Sequence, residues 1–169
     1  MSLGQRVVGD HQLARLLQIG IVLEEVVEAR ARRHAESTGL GLSDDVRGLL
    51  ADAASEASTH RERLEGLIVE LEAETVAYEE IEVLVREQYA STRPEDFDGV
   101  LYDQLCSEET AYKFYDDLLG AIEASETDFG IGRERLVGTL RGIRADEEAG
   151  VAAVTDLMDS DADTDRGER

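Results

Sequence analysis

The chain has 169 residues, 42% of them hydrophobic, which suits one domain with a single core. Its 39 Asp and Glu against 17 Lys and Arg give a formal net charge of -22, so it offers no basic stripe for phosphate, and nucleic acid is excluded as a direct partner. One cysteine, Cys106, excludes an intrachain disulfide and a Cys-X-X-Cys module, and no apolar run reaches the roughly 18 residues a membrane span needs.

The first elements are helical. Residues 1–9 read as a flexible N-terminus, and a first helix is expected from about Asp10 to Ser37, broken by Gly39 and Gly41. Ser43, followed by Asp44 and Asp45, reads as an N-cap with first-turn acids. It opens a second helix that runs to about Glu72. Val46, Leu50, Ala53, Ala57, His60, Leu64, Leu67 and Leu71 alternate between four and three apart, a bundle seam containing one histidine. Thr75 to Ala90 reads as a shorter helix carrying Val76, Ile81, Leu84 and Val85. Thr92 with Glu95 fits a capping box, with Pro94 in the first turn. A third long helix follows to about Ser125, then a turn over 127–132, then a fourth helix from about Arg133 to Met158. Residues 159–169 read as a disordered acidic tail.

This order predicts an all-α fold. Short links make two antiparallel hairpins, and the long link between the second and third long helices lets the second hairpin cross over. The bundle is expected to span residues 10–158.

At 100° per residue each long helix has an apolar direction. On the first, Leu13, Leu16, Leu17, Leu23, Val26 and Val27 set it; Glu24 lies close to that face, Glu28 flanks it and Glu25 points away. On the third, Glu108 lies within the apolar face and Glu109 does not. Glu147 sits near the centre of the face on the fourth, and His60 on the second. Buried carboxylates are costly unless paired or metal-bound. A carboxylate-rich core with one imidazole suits iron or manganese. A plain salt-bridge network is the alternative, with Arg61 and Arg144 near the inward faces. His34 reads as packed or capping, His11 as surface, and Cys106 as a small packing residue.

The arrangement resembles the ferritin-like superfamily, closest to its rubrerythrin-like branch. Leu23-Glu24-Glu25-Val26-Val27-Glu28 and Ser107-Glu108-Glu109-Thr110-Ala111-Tyr112 are similar to its two single-Glu helices. Ser58-Thr59-His60-Arg61-Glu62-Arg63-Leu64 and Ala145-Asp146-Glu147-Glu148-Ala149-Gly150 are similar to its two Glu-x-x-His helices. The resemblance implies a core site in which four Glu and two His hold two metals. Glu24, His60, Glu108 and Glu147 match it. Ala57 stands where a Glu is implied and Gly150 where a His is implied, so the implied site holds one ion, or two only with help from Glu56, Glu28 or water; Tyr112 is a further candidate ligand that reads first as core packing.

The acid excess comes with a single lysine, Lys113. Acid-rich, lysine-poor surfaces hold water and cations in molar salt, where the Debye length is only about 3 Å. The chain therefore reads as halophilic, and Met1 to Gln12 lacks the apolar segment of a signal peptide, so a cytoplasmic location is expected. Two functions are expected from these residues. One is an iron- or manganese-dependent protein of iron oxidation, peroxide or oxidative-stress chemistry. The other is a metal-free, ferritin-derived structural or protein-interaction module. A homodimer or higher homo-oligomer is expected in either case. A small-molecule pocket, in the space that Ala57 and Gly150 leave, is a third.

Overall fold

The computed structural model describes residues 6–36, 41–75, 77, 79–81, 83 and 99–167. Four long helices carry the fold: α1 (Asp10–Glu36), α2 (Asp44–Leu71), α3 (Val100–Glu123) and α4 (Arg133–Gly167). In the long link between α2 and α3, residues 79–81 and 83 are helical. The expected helical residues Val76, Leu84 and Val85, the capping box at Thr92 and Glu95, and Gly39 lie outside the described residues.

The helix ends follow local chemistry. Ser43 caps α2 in an extended conformation, its Oγ accepting the Val46 N–H at 3.3 Å. Gly41 just before it takes φ +57°, a left-handed turn that favours glycine. Helix α2 stops at Glu72, itself left-handed at φ 52°. Arg133, the first residue of α4, reaches across the turn to the open C-terminal end of α3. Its guanidinium donates to the Ile122 carbonyl at 2.8 Å, which also accepts the Ser125 N–H, and to the Ser125 carbonyl at 2.7 Å, so one cation ties down the C-terminal end of α3.

The helices pack antiparallel, as their paired residues show. Going up α1, Gly20 lies against Leu64, Glu28 pairs with Arg61, and the Ala35 carbonyl accepts from Arg47, so the numbers on α2 fall as those on α1 rise. Against α3, Gly20 meets Phe114 and Arg30 meets Asp103. Helix α4 runs against α2 through Arg135–Glu70 and His60–Glu147, and against α3 through Arg141–Glu123 and Arg144–Asp116. Each helix thus has two antiparallel neighbours.

The core is divided along the bundle axis. One end is a large apolar cluster around Leu13, Leu17, Leu64, Leu67, Tyr115, Leu118, Leu136 and Ile143. The other is a smaller cluster of Val46, Leu50 and Val100, with Leu157 packed against it. Between them lies a band of buried polar residues: Glu24, Glu28, His34, His60, Asp103, Gln104, Glu108 and Glu147.

Two expectations about the ends change. Val7, expected to be flexible, is fully buried in the large cluster, and its carbonyl accepts from the Ser125 and Thr127 hydroxyls. At the other end α4 does not stop at Met158 but continues to Gly167. No proline or glycine interrupts 151–166, and the Ser160 hydroxyl bonds back to the Asp156 carbonyl, so the helix simply propagates from its packed part. On the α2 seam, Ala54 is buried and Ala53 only partly.

Candidate metal centre

Four of the buried polar residues, one from near the middle of each long helix, form the centre of the band: Glu24 from α1, His60 from α2, Glu108 from α3 and Glu147 from α4. All four are at least nine-tenths buried, with Glu24 and His60 at 0% and 1% exposure. Their neighbours on each helix are the apolar residues of the 3–4 spaced seam, so packing of the seam fixes where these four point.

Glu24, His60 and Glu147 form a triad whose ligand atoms all lie within 4.8 Å of one another. His60 Nδ1 is 3.1 Å from Glu147 Oε1 and 3.4 Å from Glu24 Oε1. Its other nitrogen, Nε2, lies 3.0 Å from Asp146 Oδ2. The Tyr115 hydroxyl, fully buried, donates to Glu24 Oε1 at 2.5 Å. Glu24 Oε2 is buried and has no hydrogen-bond partner among the described residues. Glu108 joins the group through a hydrogen bond to Glu147, and its Oε1 accepts from Gln104 at 2.7 Å.

The three other candidate ligands surround the triad in different ways. Glu28 pairs with Arg61 at 2.9 Å and with Arg32 at 2.7 Å. Glu56 is half-buried in a cleft between α2 and α4. Tyr112 is partly exposed; Tyr115, one turn further along, is the tyrosine that reaches Glu24. Of the two arginines near the inward faces, Arg61 goes to Glu28 and Arg144 to the exposed Asp116.

Gly150 has a specific part. A Cβ there would fall 2.3 Å from Glu108 Oε2 and 2.7 Å from its Cδ. The Glu108 carboxylate therefore occupies the space that a side chain at position 150 would take. Ala57, also buried, leaves α2 without a carboxylate one turn before His60.

Without a metal the group holds protons. Burial by itself would lower the His60 pKa, but hydrogen bonds to Glu147 and Glu24 and the Glu24 charge outweigh it, and push it up to about 11. Burial is the main cause that lifts Glu147 to about 9, and the Glu24 and Glu108 carboxylates add to it against the His60 hydrogen bond. Glu108 is raised too, again chiefly by burial. Carboxylates beside both ring nitrogens favour the protonated imidazole, and Glu108 helps to favour the neutral form of Glu147. A divalent cation could replace these protons. Carboxylate oxygens with one imidazole nitrogen are a donor set that could hold a metal ion. Asp146 on the far nitrogen of His60 and Tyr115 on Glu24 are the kind of outer partners that hold metal ligands in orientation.

A second buried polar group lies nearby. Asp103, 2% exposed, takes an ion pair from Arg30 and a 2.8 Å hydrogen bond with His34 Nε2. His34 is thus a packed histidine, as its sequence position suggested. Asp103, Gln104 and Asp146 were not singled out from sequence. The signal for the first two was present: with Val100, Glu108, Ala111 and Tyr115 they fall on one 3–4 spaced stripe of α3.

Cys106 is partly exposed, and burial followed by the nearby Glu109 and Asp103 charges raises its thiol pKa, the opposite of a reactive cysteine. Among the described residues, no helix is long and apolar enough to cross a membrane. Comparison with family models finds no match. Comparisons with curated proteins and with solved structures likewise find none.

Proposed function

We propose that this chain is a ferritin-like, rubrerythrin-like protein that binds a single iron or manganese ion where its four helices meet. Glu24, His60 through Nδ1, and Glu147 would hold the ion, with Glu108 as the fourth side chain in reach. The observation that carries this reading is the Glu24 carboxylate. Its Oε2 is fully buried without a hydrogen-bond partner among the described residues, and the carboxyl group belongs to a triad with His60 and Glu147 whose ligand atoms lie within 4.8 Å of one another. Leaving such an oxygen unsatisfied costs roughly 1–3 kcal/mol or more, which a cation would offset. The absent side chains at Ala57 and Gly150 favour one ion over two.

A bound redox-active ion would supply electron transfer to O2 or peroxide. The chain's own residues fix the geometry: Tyr115 holds Glu24, Asp146 holds His60, and the two apolar clusters keep bulk water from the band between them.

The test is elemental mass spectrometry on protein purified without a histidine tag, then anaerobic titration with Fe(II) and with Mn(II). A single tightly bound ion per chain is expected, lost in both Glu147→Ala and His60→Ala. Unchanged stoichiometry in those variants sinks the reading.

One observation favours the metal-free alternative: His60 already meets three carboxylates, Glu24, Glu147 and Asp146, so a protonated cluster can balance its own charge. If the chain is a metal-free module, a strong chelator leaves its melting temperature unchanged; if it holds a metal, the melting temperature falls.

A further inference from the structure

A fully buried metal site needs a way in. Between α2 and α4 lies an open cleft of about 480 Å³. Its outer wall carries Asp44, Asp45 and Asp52, all exposed, and further in lies Glu56. Its inner end is formed by Glu108 and Asp146. Both are already tied to the central cluster, Glu108 by its hydrogen bond to Glu147 and Asp146 by its 3.0 Å contact with His60. Glu108 and Asp146 therefore belong both to the lining of the cleft and to the surroundings of the cluster.

The cleft exists because its walls are small. Gly48, Ala53, Ala149, Gly150 and Ala153 line it, and Gly150 leaves room for the Glu108 carboxylate to face it. No lysine or arginine lines it among the described residues; Arg63 reaches Asp146 only at 3.5 Å. Glu56, half-buried, is raised to about 6, chiefly by burial; the nearby His60 pulls it down, and Asp146, Glu108 and Glu24 push it up.

We propose that this cleft is the route by which a hydrated divalent cation reaches Glu24, His60 and Glu147, with the Glu108 carboxylate as the last group it passes. The proposal rests on the metal-binding reading above. A wall of one charge sign concentrates cations and repels anions, so the route admits a metal ion and rejects anionic metal chelates.

The experiment separates route from site. Ala153→Trp places a bulky side chain in the cleft from an exposed position of α4, away from the triad. Val69→Trp places the same side chain in the apolar groove between α1 and α2, lined by Ile21, Val22 and Ile68, as a control. Co(II) association is followed by stopped flow with a chromophoric indicator for the free ion, and dissociation by chelator chase. Ala153→Trp is expected to slow association and dissociation together, on the order of tenfold or more, with affinity unchanged, because blocking a path alters both rates and not the equilibrium. Val69→Trp is expected to match the wild type. Wild-type rates in Ala153→Trp, equal slowing in Val69→Trp, or a loss of affinity without slower association each overturn the route while the site stands. No Co(II) binding by the wild type overturns both.

Discussion

Gly150→Ala tests the packing of the polar band without needing any metal. In an open helical position, glycine to alanine stabilises by roughly 0.5–1 kcal/mol. Gly138, on the same helix, is such a position: nothing lies within 4 Å of an added Cβ, and Gly138→Ala should stabilise by that amount. At position 150 the new Cβ would sit 2.3 Å from Glu108 Oε2 and 3.1 Å from Oε1, so the carboxylate must move. Glu108 is 4% exposed and holds hydrogen bonds to Gln104 and Glu147. Losing or weakening these in the core costs about 1–3 kcal/mol, which exceeds or cancels the helical gain. Gly150→Ala should therefore be less stable than Gly138→Ala by about 1–3 kcal/mol, a gap of several degrees in melting temperature for a chain this size. Urea denaturation of both variants with chelator present measures it. Equal stabilisation by the two alanines would show that Glu108 does not lie against Gly150, and the account of that side of the site would fail.

Two further outcomes follow from the same band. His60 is raised from 6.5 to about 11 and Glu147 from 4.5 to about 9, so the folded chain keeps protons that the unfolded chain has already released. The Glu147 contribution is complete below 4.5 and gone above about 9, and the His60 contribution is complete below 6.5 and gone above about 11. Metal-free stability should thus fall as pH rises, most steeply where both windows overlap between 6.5 and 9; a urea midpoint that is flat or rising over that interval contradicts it. Asp103→Ala strips a buried acceptor from both Arg30 and His34 and should cost about 3–5 kcal/mol in denaturant unfolding; a cost below 1 kcal/mol would mean the trio is not the buried network described.

Most of the fold is readable in the sequence because its signals are local. The Ser43 cap and the turn at Gly41 depend on residues within a few positions of each other, and both are in place. The 3–4 seam also puts Glu24, His60, Glu108 and Glu147 inside, since a helical face is a property of one helix. What these residues then touch is not local. Whether Glu28 joins the site or an arginine is decided by Arg61 on another helix, and the tyrosine that reaches Glu24 is Tyr115, not the Tyr112 weighed beside it. Asp103 sits in the first turn of α3, where an acid ordinarily serves the helix N-terminus, and only the tertiary approach of His34 and Arg30 turns it inward. Val7 is held by Ser125, far away in the chain, so an opening segment without periodicity gives no warning that it is packed.

The two hairpins are each held by extensive helix contact, α1 on α2 and α3 on α4, whereas the pairs that join one hairpin to the other touch far less. The triad straddles that weaker seam: Glu24 and His60 come from the first half, Glu147 from the second. Pulling the halves apart would break His60–Glu147, Tyr115–Glu24 and Arg30–Asp103 together with the apolar cluster that all four helices share, and would leave Glu24–His60 and Glu108–Glu147 within their own halves. Such a partial opening has its own free energy, separate from that of global unfolding. The joint between the halves thus combines shared apolar packing with a set of contacts whose strength follows the protons available in solution.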